Sequence, residues 1–214
     1  MRIGFFNGSP RRKGNTATLL EACREGALAA GATGDIVNLY TLDYKGCTSC
    51  LQCKRQGGKS FGVCAMKDGL TPILKEIREY DAVVLGTPIY YGAESGMMRT
   101  FMERMLYPYF TYSPDRKSLF PKPIPTALIY SMSATDAAMA ERNYDAVINN
   151  TRTFVEAILG PCTVLTNCDA TLYEDYEKYG TAWWDPEQKA QVRAEVFPEN
   201  CRRARELGAT LAKG

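Results

Sequence analysis

Short apolar runs alternate along the chain with longer stretches that mix apolar and polar residues. Five of these runs predict β-strands, at residues 2–6, 35–40, 82–86, 125–130 and 162–168. The third run, AVVLG, is wholly apolar, which is typical of a strand that is covered on both faces. The pattern therefore favours a sheet buried between two layers.

The stretches between the strands carry the spacing of helices. Residues 16–30 place apolar side chains at intervals of three and four, and Thr71-Pro72 combines a cap residue with a proline at a first helical position. Helices are predicted over residues 16–30, from 71 onward, around a methionine stripe at 97–106, over 136–159, and over 186–213 with an interruption near Phe197-Pro198.

Strands that alternate with helices predict a parallel, doubly wound α/β sheet. We expect five strands in the order 2-1-3-4-5, with helices on both faces. The sequence has no internal repeat and no low-complexity linker, so we expect a single domain over residues 1–214.

Composition and charge exclude several classes of function. The chain has 214 residues and a formal net charge of +2, which gives no electrostatic footprint for nucleic acid. No apolar stretch approaches the roughly 18–20 residues of a membrane span, and the first strand begins at once without a signal peptide. We therefore expect a cytoplasmic protein without membrane contact, whose cysteines are mostly reduced thiols.

The chain contains no histidine. Histidine-based acid–base catalysis, Ser-His-Asp and Cys-His arrangements, and metal sites with imidazole ligands are thereby excluded. If the protein is an enzyme, a cofactor is expected to carry the chemistry.

A glycine-rich basic loop, GSPRRKGNT, joins the first strand to the first helix. The spacing of its glycines matches neither a dinucleotide fingerprint nor a Walker loop, in which a lysine would replace Asn15. A helix N-terminus after such a turn is a favourable site for a terminal phosphate. The candidate phosphate ligands are Ser9, Arg11, Gly14, Asn15 and Thr16, and the alternative is a solvated basic turn.

The third strand runs into a second loop, TPIYYGAESG. In the expected sheet, strands 1 and 3 flank the point where the strand order reverses, and ligands bind beyond the carboxyl ends there. A ligand that presents a phosphate to the first loop and a planar ring to the second is FMN.

The two loops together resemble a known family. GSPRRKGNT followed by AVVLGTPIYYGAESGMMRTFMERM resembles the flavodoxin-like, NADPH-dependent FMN reductases, closest to the branch that includes the iron–sulfur flavoproteins, and the closing FPENCRRARELGATLA also resembles that branch. The resemblance implies a flavodoxin-like fold. It also implies that Ser9, Arg11, Asn15 and Thr16 hold the FMN phosphate and that Pro88, Ile89, Tyr90, Tyr91, Gly92 and Ser131 border the isoalloxazine. The family is commonly dimeric, so a homodimer or higher homo-oligomer is expected.

The expected function is an oxidoreductase that takes a hydride from NAD(P)H and passes electrons to a small acceptor or a redox protein. Hydride transfer to flavin N5 needs stacking and orientation more than a protein acid. The acceptor could be a quinone, a nitro compound, a flavin or an iron–sulfur centre. The alternatives are a flavodoxin-like electron carrier and a non-catalytic flavin-binding sensor.

Four of the eight cysteines lie in one loop, at residues 46–68. Cys47, Cys50 and Cys53 repeat at intervals of three, as in the run that binds a [4Fe–4S] cluster in bacterial ferredoxins. The fourth candidate ligand, Cys64, follows Cys53 only after ten intervening residues. The sequence therefore leaves two alternatives, a [4Fe–4S] cluster or a cysteine loop without one.

Two further segments are rich in aromatic residues. One spans residues 107–123, and the other, an insertion at 170–186, holds Tyr173, Tyr176, Tyr179, Trp183 and Trp184. Three interpretations remain open for them: irregular surface packing, a lid over a ligand, or a dimer contact.

Overall fold

The computed structural model describes residues 1–115, 117–179 and 184–214. Arg116 and Trp183, which belong to the two aromatic segments, therefore lie outside the described residues. The strands are β1 (Ile3–Asn7), β2 (Ile36–Asn38), β3 (Ala82–Tyr90), β4 (Ala93–Glu94), β5 (Thr126–Ser131) and β6 (Cys162–Asn167).

The sheet follows the order β2-β1-β3-β5-β6, and these five strands are parallel. The short β4 pairs antiparallel with the end of β3 and lies off this path. Without β4 the order is 2-1-3-4-5, which confirms the predicted flavodoxin-like arrangement. The ends of β1, β3 and β5 meet at one edge of the sheet, as a ligand site at the switch point requires.

Within the described residues, six α-helices connect or follow the strands. They are α1 (Asn15–Ala29), α2 (Thr71–Glu76), α3 (Gly96–Leu106), α4 (Asp136–Glu141), α5 (Tyr144–Leu159) and α6 (Pro186–Leu211). None of the described helices is long and apolar enough to cross a membrane.

Three differences from the prediction go beyond a shift of one or two residues at the end of an element. β3 continues four residues beyond Gly86 because Thr87–Tyr90 pair with β5 and then with β4. The stretch predicted as one helix over 136–159 is two, separated at Asn143, whose φ of 56° lies in the left-handed region that asparagine tolerates. Finally, α6 runs without interruption through Pro198. It contacts α1 on both sides of this proline, through Arg193 with Asn15 and through Arg205 beside Gly26, and such packing overrides local propensity.

Alternate residues of each strand enter two separate cores. Phe6 packs with α3 residues such as Phe101, whereas its neighbour Phe5 packs with α1 residues such as Leu19. The second core is closed by α6, which lies directly on α1. A β-carbon added at Gly26 of α1 would stand 1.9 Å from a carbonyl oxygen of α6, so glycine is required for this close approach.

Candidate functional site

A cleft of about 1130 Å³ opens at the carboxyl edge of the sheet. All but two of the predicted cofactor-binding residues line it: Ser9, Arg11, Gly14, Asn15, Thr16, Pro88, Ile89, Tyr90 and Ser131. Tyr91 and Gly92 follow Tyr90 outside the lining. The fold therefore brings the two loops of the prediction to one cavity.

The phosphate loop, residues 8–16, ends at the start of α1. Gly14 is the residue before the helix and has no side chain that could cap the first N–H groups, which therefore remain for a ligand. The first turn of this fully described helix contains no acidic residue. Ser9 is buried, and its Oγ accepts a hydrogen bond from the backbone N–H of Arg11 at 3.2 Å, which fixes the bend of the loop.

Ser95 ties the phosphate loop to the second loop. Its Oγ donates to the carbonyl of Gly8 at 2.5 Å, and its backbone N–H donates to Oγ1 of Thr87 at 3.1 Å. A β-carbon at Gly8 would stand only 2.7 Å from Cβ of Met98, so a glycine is needed for this approach. The two sides of the cleft are thus fixed relative to each other before any ligand binds.

The end of β3 forms a tight hairpin with β4. Tyr91 and Gly92 have φ of 51° and 81°, the signs expected for the two central residues of a type I′ turn. Tyr91 is fully exposed at the tip. Tyr90 lines the cleft, and burial raises its pKa above the ordinary value of tyrosine while the charge of Arg11 acts in the opposite direction.

A buried carboxylate, that of Glu94 in β4, ties this hairpin to the protein interior. The side chain of Glu94 is 1 % exposed, and its Oε1 accepts hydrogen bonds from Tyr130 at 2.8 Å and Thr151 at 2.7 Å. Its Oε2 forms an ion pair with Arg99 at 3.3 Å. Sequence reasoning missed this residue, because nothing in its position marks it as buried.

A chain of buried amides orients Ser131 at the other edge of the cleft. Nδ2 of Asn167 donates to Oγ of Ser131 at 3.1 Å, and Nδ2 of Asn200 donates to Oδ1 of Asn167 at 2.9 Å. Asn200 of α6 therefore positions the hydroxyl of Ser131 through Asn167 of β6.

The aromatic insertion, for which the sequence left surface packing, a lid and a dimer contact open, forms a further wall of the cleft. Thr171, Leu172, Tyr173 and Tyr176 line the cleft, together with Arg193 of α6. Arg193 donates to Oδ1 of Asn15 at 2.7 Å. Sequence reasoning missed Arg193, because the sequence shows only a basic residue in a predicted helix and does not reveal that the phosphate loop lies beside it.

The donor chemistry of the cleft fits FMN. Free helix N–H groups and the guanidinium of Arg11 suit a phosphate at one end. Pro88, Ile89 and Tyr90 offer a flat, largely apolar surface at the other end.

The four cysteines of the loop line a second, small cavity of about 20 Å³. Cys47 and Cys50 are exposed, Cys53 is buried and Cys64 is half-buried, and all four are free thiols. Burial raises the pKa of Cys53 above its ordinary value, although the ammonium of Lys54 acts against this shift; Cys64 and Cys47 act in the same direction as burial. The loop thus folds back over the ten-residue gap and returns Cys64 to the other three.

Helix α3 anchors the cysteine loop. Oε2 of Glu103 accepts from the backbone N–H of Cys47 at 3.2 Å, and Nε of Arg104 lies 3.4 Å from the sulfur of Cys64. Lys54 donates to the carbonyl of Tyr107 at the end of α3, and its ammonium stands 4.2 Å from the ring centre of Tyr107.

The cysteine side chains do not form a site ready for a single ion. Within residues 1–115, 117–179 and 184–214, no group of three or more Cys, Asp or Glu side chains has the geometry to hold one metal ion. A cuboidal cluster is larger than an ion and is held by four cysteine thiolates. The chemistry of the donor set fits such a cluster.

The fold and the cleft define a flavodoxin-like protein whose cleft has the donor groups that suit FMN. A family model described as "NADPH-dependent FMN reductase" matches residues 1–163. The chain belongs to this family, as the resemblance of the two loops implied.

Curated relatives from archaea are named iron-sulfur flavoproteins. One from Archaeoglobus fulgidus is 33 % identical over 104 residues, which is 49 % of this chain and 48 % of the relative. Another from Methanocaldococcus jannaschii is 30 % identical over 104 residues, 49 % of this chain and 51 % of the relative. The chain spans about half the length of the curated relatives it matches.

Solved structures share the fold over the whole chain. An NAD(P)H:quinone oxidoreductase from Methanothermobacter marburgensis superposes with a TM-score of 0.71 at 16 % identity, covering 99 % of this chain and 96 % of that one. An azoreductase from Bacillus anthracis gives a TM-score of 0.69 at 14 % identity, with coverage of 98 % and 99 %. Because the sequence identities are this low, the similarity to these two structures confirms the fold alone.

Proposed function

We propose that this protein is an FMN-dependent oxidoreductase that takes a hydride from NAD(P)H and passes the electrons to a small acceptor. A quinone, a nitro compound and a free flavin are the acceptors we consider first. Family membership supports the reaction class. The names of two fold neighbours, a quinone oxidoreductase and an azoreductase, support a planar, conjugated acceptor.

One observation carries the proposal. The cleft joins the uncapped N-terminus of α1 to the ends of β3 and β5 within a single cavity. A ligand that fills it needs an anion at one end and a flat ring at the other, and FMN has this shape.

The residues of the chain bind and orient the cofactor in this proposal. Arg11 and the first N–H groups of α1 would bind the phosphate. Pro88, Ile89 and Tyr90 would border the isoalloxazine on one side, and the hydroxyl of Ser131, held by Asn167, would meet its other edge. Bound FMN supplies a hydride acceptor at N5 of the flavin, so the absence of histidine from the chain is no obstacle.

The test is an anaerobic half-reaction. Protein loaded with FMN is mixed with NADPH or NADH, and loss of the visible flavin absorbance is followed before and after addition of a quinone. We expect bleaching by at least one of the two nucleotides and recovery with the quinone. A flavin that neither nucleotide bleaches would contradict the proposed enzyme.

Two neighbouring arginines allow a controlled test of cofactor binding. Arg11 lines the cleft, whereas Arg12 is exposed outside its lining. Because a lost charged hydrogen bond weakens binding by about tenfold or more, Arg11→Ala should raise the dissociation constant of FMN by that factor. Arg12→Ala removes the same charge and should change the dissociation constant of FMN by no more than about twofold. Equal effects of both would indicate non-specific electrostatics.

A second function is favoured by the convergence of the four cysteines on one cavity. In this proposal Cys47, Cys50, Cys53 and Cys64 would hold a [4Fe–4S] cluster, a group that would supply one-electron chemistry beside the flavin. The printed names of the relatives, iron-sulfur flavoproteins, support it.

Iron and sulfide analysis after anaerobic reconstitution tests the cluster. We expect about four irons per chain in the wild type, and a clear loss in Cys64→Ser because a thiolate ligand is removed. Cys201→Ser is the control, since this half-buried thiol lies on α6 outside the cysteine loop. Wild-type protein that binds no iron, or a Cys64→Ser variant that keeps it, would contradict the cluster.

A further inference from the structure

A strap formed by residues 170–176 crosses from the end of β6 to the phosphate loop. Nδ2 of Asn15 donates to the carbonyl of Thr171 at 2.8 Å, and Nη1 of Arg11 donates to the carbonyl of Leu172. Two of the proposed phosphate ligands therefore bind the strap directly. The strap closes the phosphate end of the cleft.

The strap is folded on itself. The backbone N–H of Leu172 donates to Oη of Tyr176 at 2.9 Å. The ring of Tyr173 stacks on that of Tyr179, with centroids 4.2 Å apart and an interplanar angle of 16°. These contacts give the segment a defined shape over the cleft.

The base of the strap is hydrogen bonded to the loop that follows β5. The backbone N–H of Asp169 donates to the carbonyl of Ala134 at 2.7 Å, and that of Ala170 donates to the carbonyl of Met132 at 2.9 Å. Asp169 has a φ of 54°, so the chain turns sharply where the strap begins. The turn directs its carboxylate towards α6.

Lys189 meets this carboxylate in the protein interior. Its Nζ forms an ion pair with Oδ1 of Asp169 and donates to the carbonyl of Ser133 at 2.9 Å. The two side chains are 3 % and 14 % exposed, for Lys189 and Asp169 respectively. A lysine is almost never buried to this extent unless it is paired. One ammonium group thus joins α6, the loop after β5 and the base of the strap.

Closure of the strap is compatible with phosphate binding. Arg11 has five N–H donors and uses one of them on Leu172, which leaves others for an anion. The amide oxygen of Asn15 already accepts from Arg193 at 2.7 Å, so its side chain holds the strap to α6. A phosphate on the N-terminus of α1 would then be enclosed between the helix and the strap.

We propose that Asp169 and Lys189 form a positioning pair for the cofactor, which keeps the strap across the phosphate end and slows the release of FMN. This inference rests on the proposed function, because it presupposes FMN in the cleft. Neither residue touches the cofactor in the proposal. They act through Thr171 and Leu172 on the one side and through Ser133 on the other.

The experiment measures FMN release rather than turnover. Release from the loaded protein is followed by the fluorescence of free FMN, alongside the melting temperature of the apoprotein. Lys189→Met should raise the release rate by at least about tenfold, since the strap loses a charged anchor. It should also lower the melting temperature, because it leaves the carboxylate of Asp169 buried without its partner.

A double variant separates positioning from stability. Asp169→Asn combined with Lys189→Met removes both charges, so we expect the melting temperature to recover while FMN release stays fast. Arg205→Met is the matched control, because it breaks an exposed ion pair between α6 and Glu25 of α1 on a part of α6 outside the lining of the cleft. We expect it to leave FMN release unchanged.

The outcomes are distinguishable. FMN that leaves the double variant at the wild-type rate would overturn the positioning role, even if Lys189→Met alone is unstable. Equal acceleration in Arg205→Met would also overturn it, since any weakening of α6 would then suffice. Wild-type protein that binds no FMN would overturn the proposed function together with this inference.

Discussion

The guanidinium of Arg104 points its Nε at the sulfur of Cys64, 3.4 Å away. The same group donates to the carbonyl of Lys45 at 3.0 Å and forms a two-point ion pair with Asp68. The side chain of Arg104 is 0 % exposed. A single buried cation therefore joins both ends of the cysteine loop to α3, and the loop depends on it for its shape.

Arg104→Met should destabilise the fold and loosen the cysteine loop. Removing one partner of a buried ion pair leaves the other charge uncompensated, which costs about 3–5 kcal/mol. Because the carboxylate of Asp68 is 19 % exposed, we expect the lower end of that range. Urea denaturation measures the loss, and hydrogen exchange over residues 46–68 should rise.

Arg152→Met is the control for this variant. Arg152 forms an exposed pair with Glu156 one turn along α5, at 3.3 Å. Such a pair contributes roughly 0.3–0.5 kcal/mol. A comparable loss of stability in the two variants would contradict the structural role of Arg104.

The Arg104–Asp68 pair also predicts a pH dependence. Burial acts to raise the pKa of Asp68, but hydrogen bonds from Arg104 and from the backbone of Leu70 outweigh it, so the pKa of this carboxyl is lowered in the folded state. Its contribution to stability is therefore present above the unfolded pKa of about 3.9 and is lost as the pH falls through the folded value. The difference in free energy of unfolding between wild type and Arg104→Met should be constant near neutral pH and shrink below about pH 4. A difference that does not change down to pH 2 would contradict this.

The contact between α1 and α6 yields a prediction about glycine. A β-carbon at Gly26 would approach the carbonyl oxygen of Arg205 to 1.9 Å, a backbone atom that cannot move aside. Gly26→Ala should therefore destabilise the protein by about 1–3 kcal/mol or more, as overpacking does. Gly96→Ala at the start of α3 is the control, because nothing lies within 4 Å of the added methyl group. Thermal unfolding of both variants measures the difference.

Most of the fold was predictable because it depends on local patterns. Five apolar runs at regular spacing specified the sheet, and the alternation of helices specified its parallel order. Asn143 shows where this fails, since a helical pattern does not reveal a residue that adopts positive φ. At Pro198 the prediction is wrong in the opposite sense. A proline predicts a break in the helix, but tertiary packing keeps α6 intact there.

The candidate site was predictable only where its residues stand in one loop. Ser9, Arg11 and Asn15 share the phosphate loop, and Tyr90 belongs to a recognisable strand end. Lys189 and Arg104 had no such signal, because an isolated basic residue in a helix is usually solvated. Only the folded chain brings Lys189 beside Asp169, and Arg104 beside Cys64.

Tyr91 yields a prediction in which stability and cofactor binding change in opposite directions. It holds a φ of 51° and is fully exposed, so its side chain does not compensate for the strain through packing within the described protein. Tyr91→Gly should raise the free energy of unfolding by about 0.5–1 kcal/mol, since glycine adopts this conformation without a steric penalty. Gly92→Ala is the opposite control, because alanine at a φ of 81° is strained and its methyl group would stand 3.1 Å from the ring of Tyr144.

Tyr91 lies outside the lining of the cleft, but the family resemblance of the sequence predicts that it borders the isoalloxazine, and strained residues concentrate at ligand sites. The more stable Tyr91→Gly variant should therefore bind FMN more weakly than the wild type in a fluorescence titration. A variant that gains stability and keeps its affinity for FMN would remove Tyr91 from the cofactor site and leave Tyr90 as the aromatic residue of that loop.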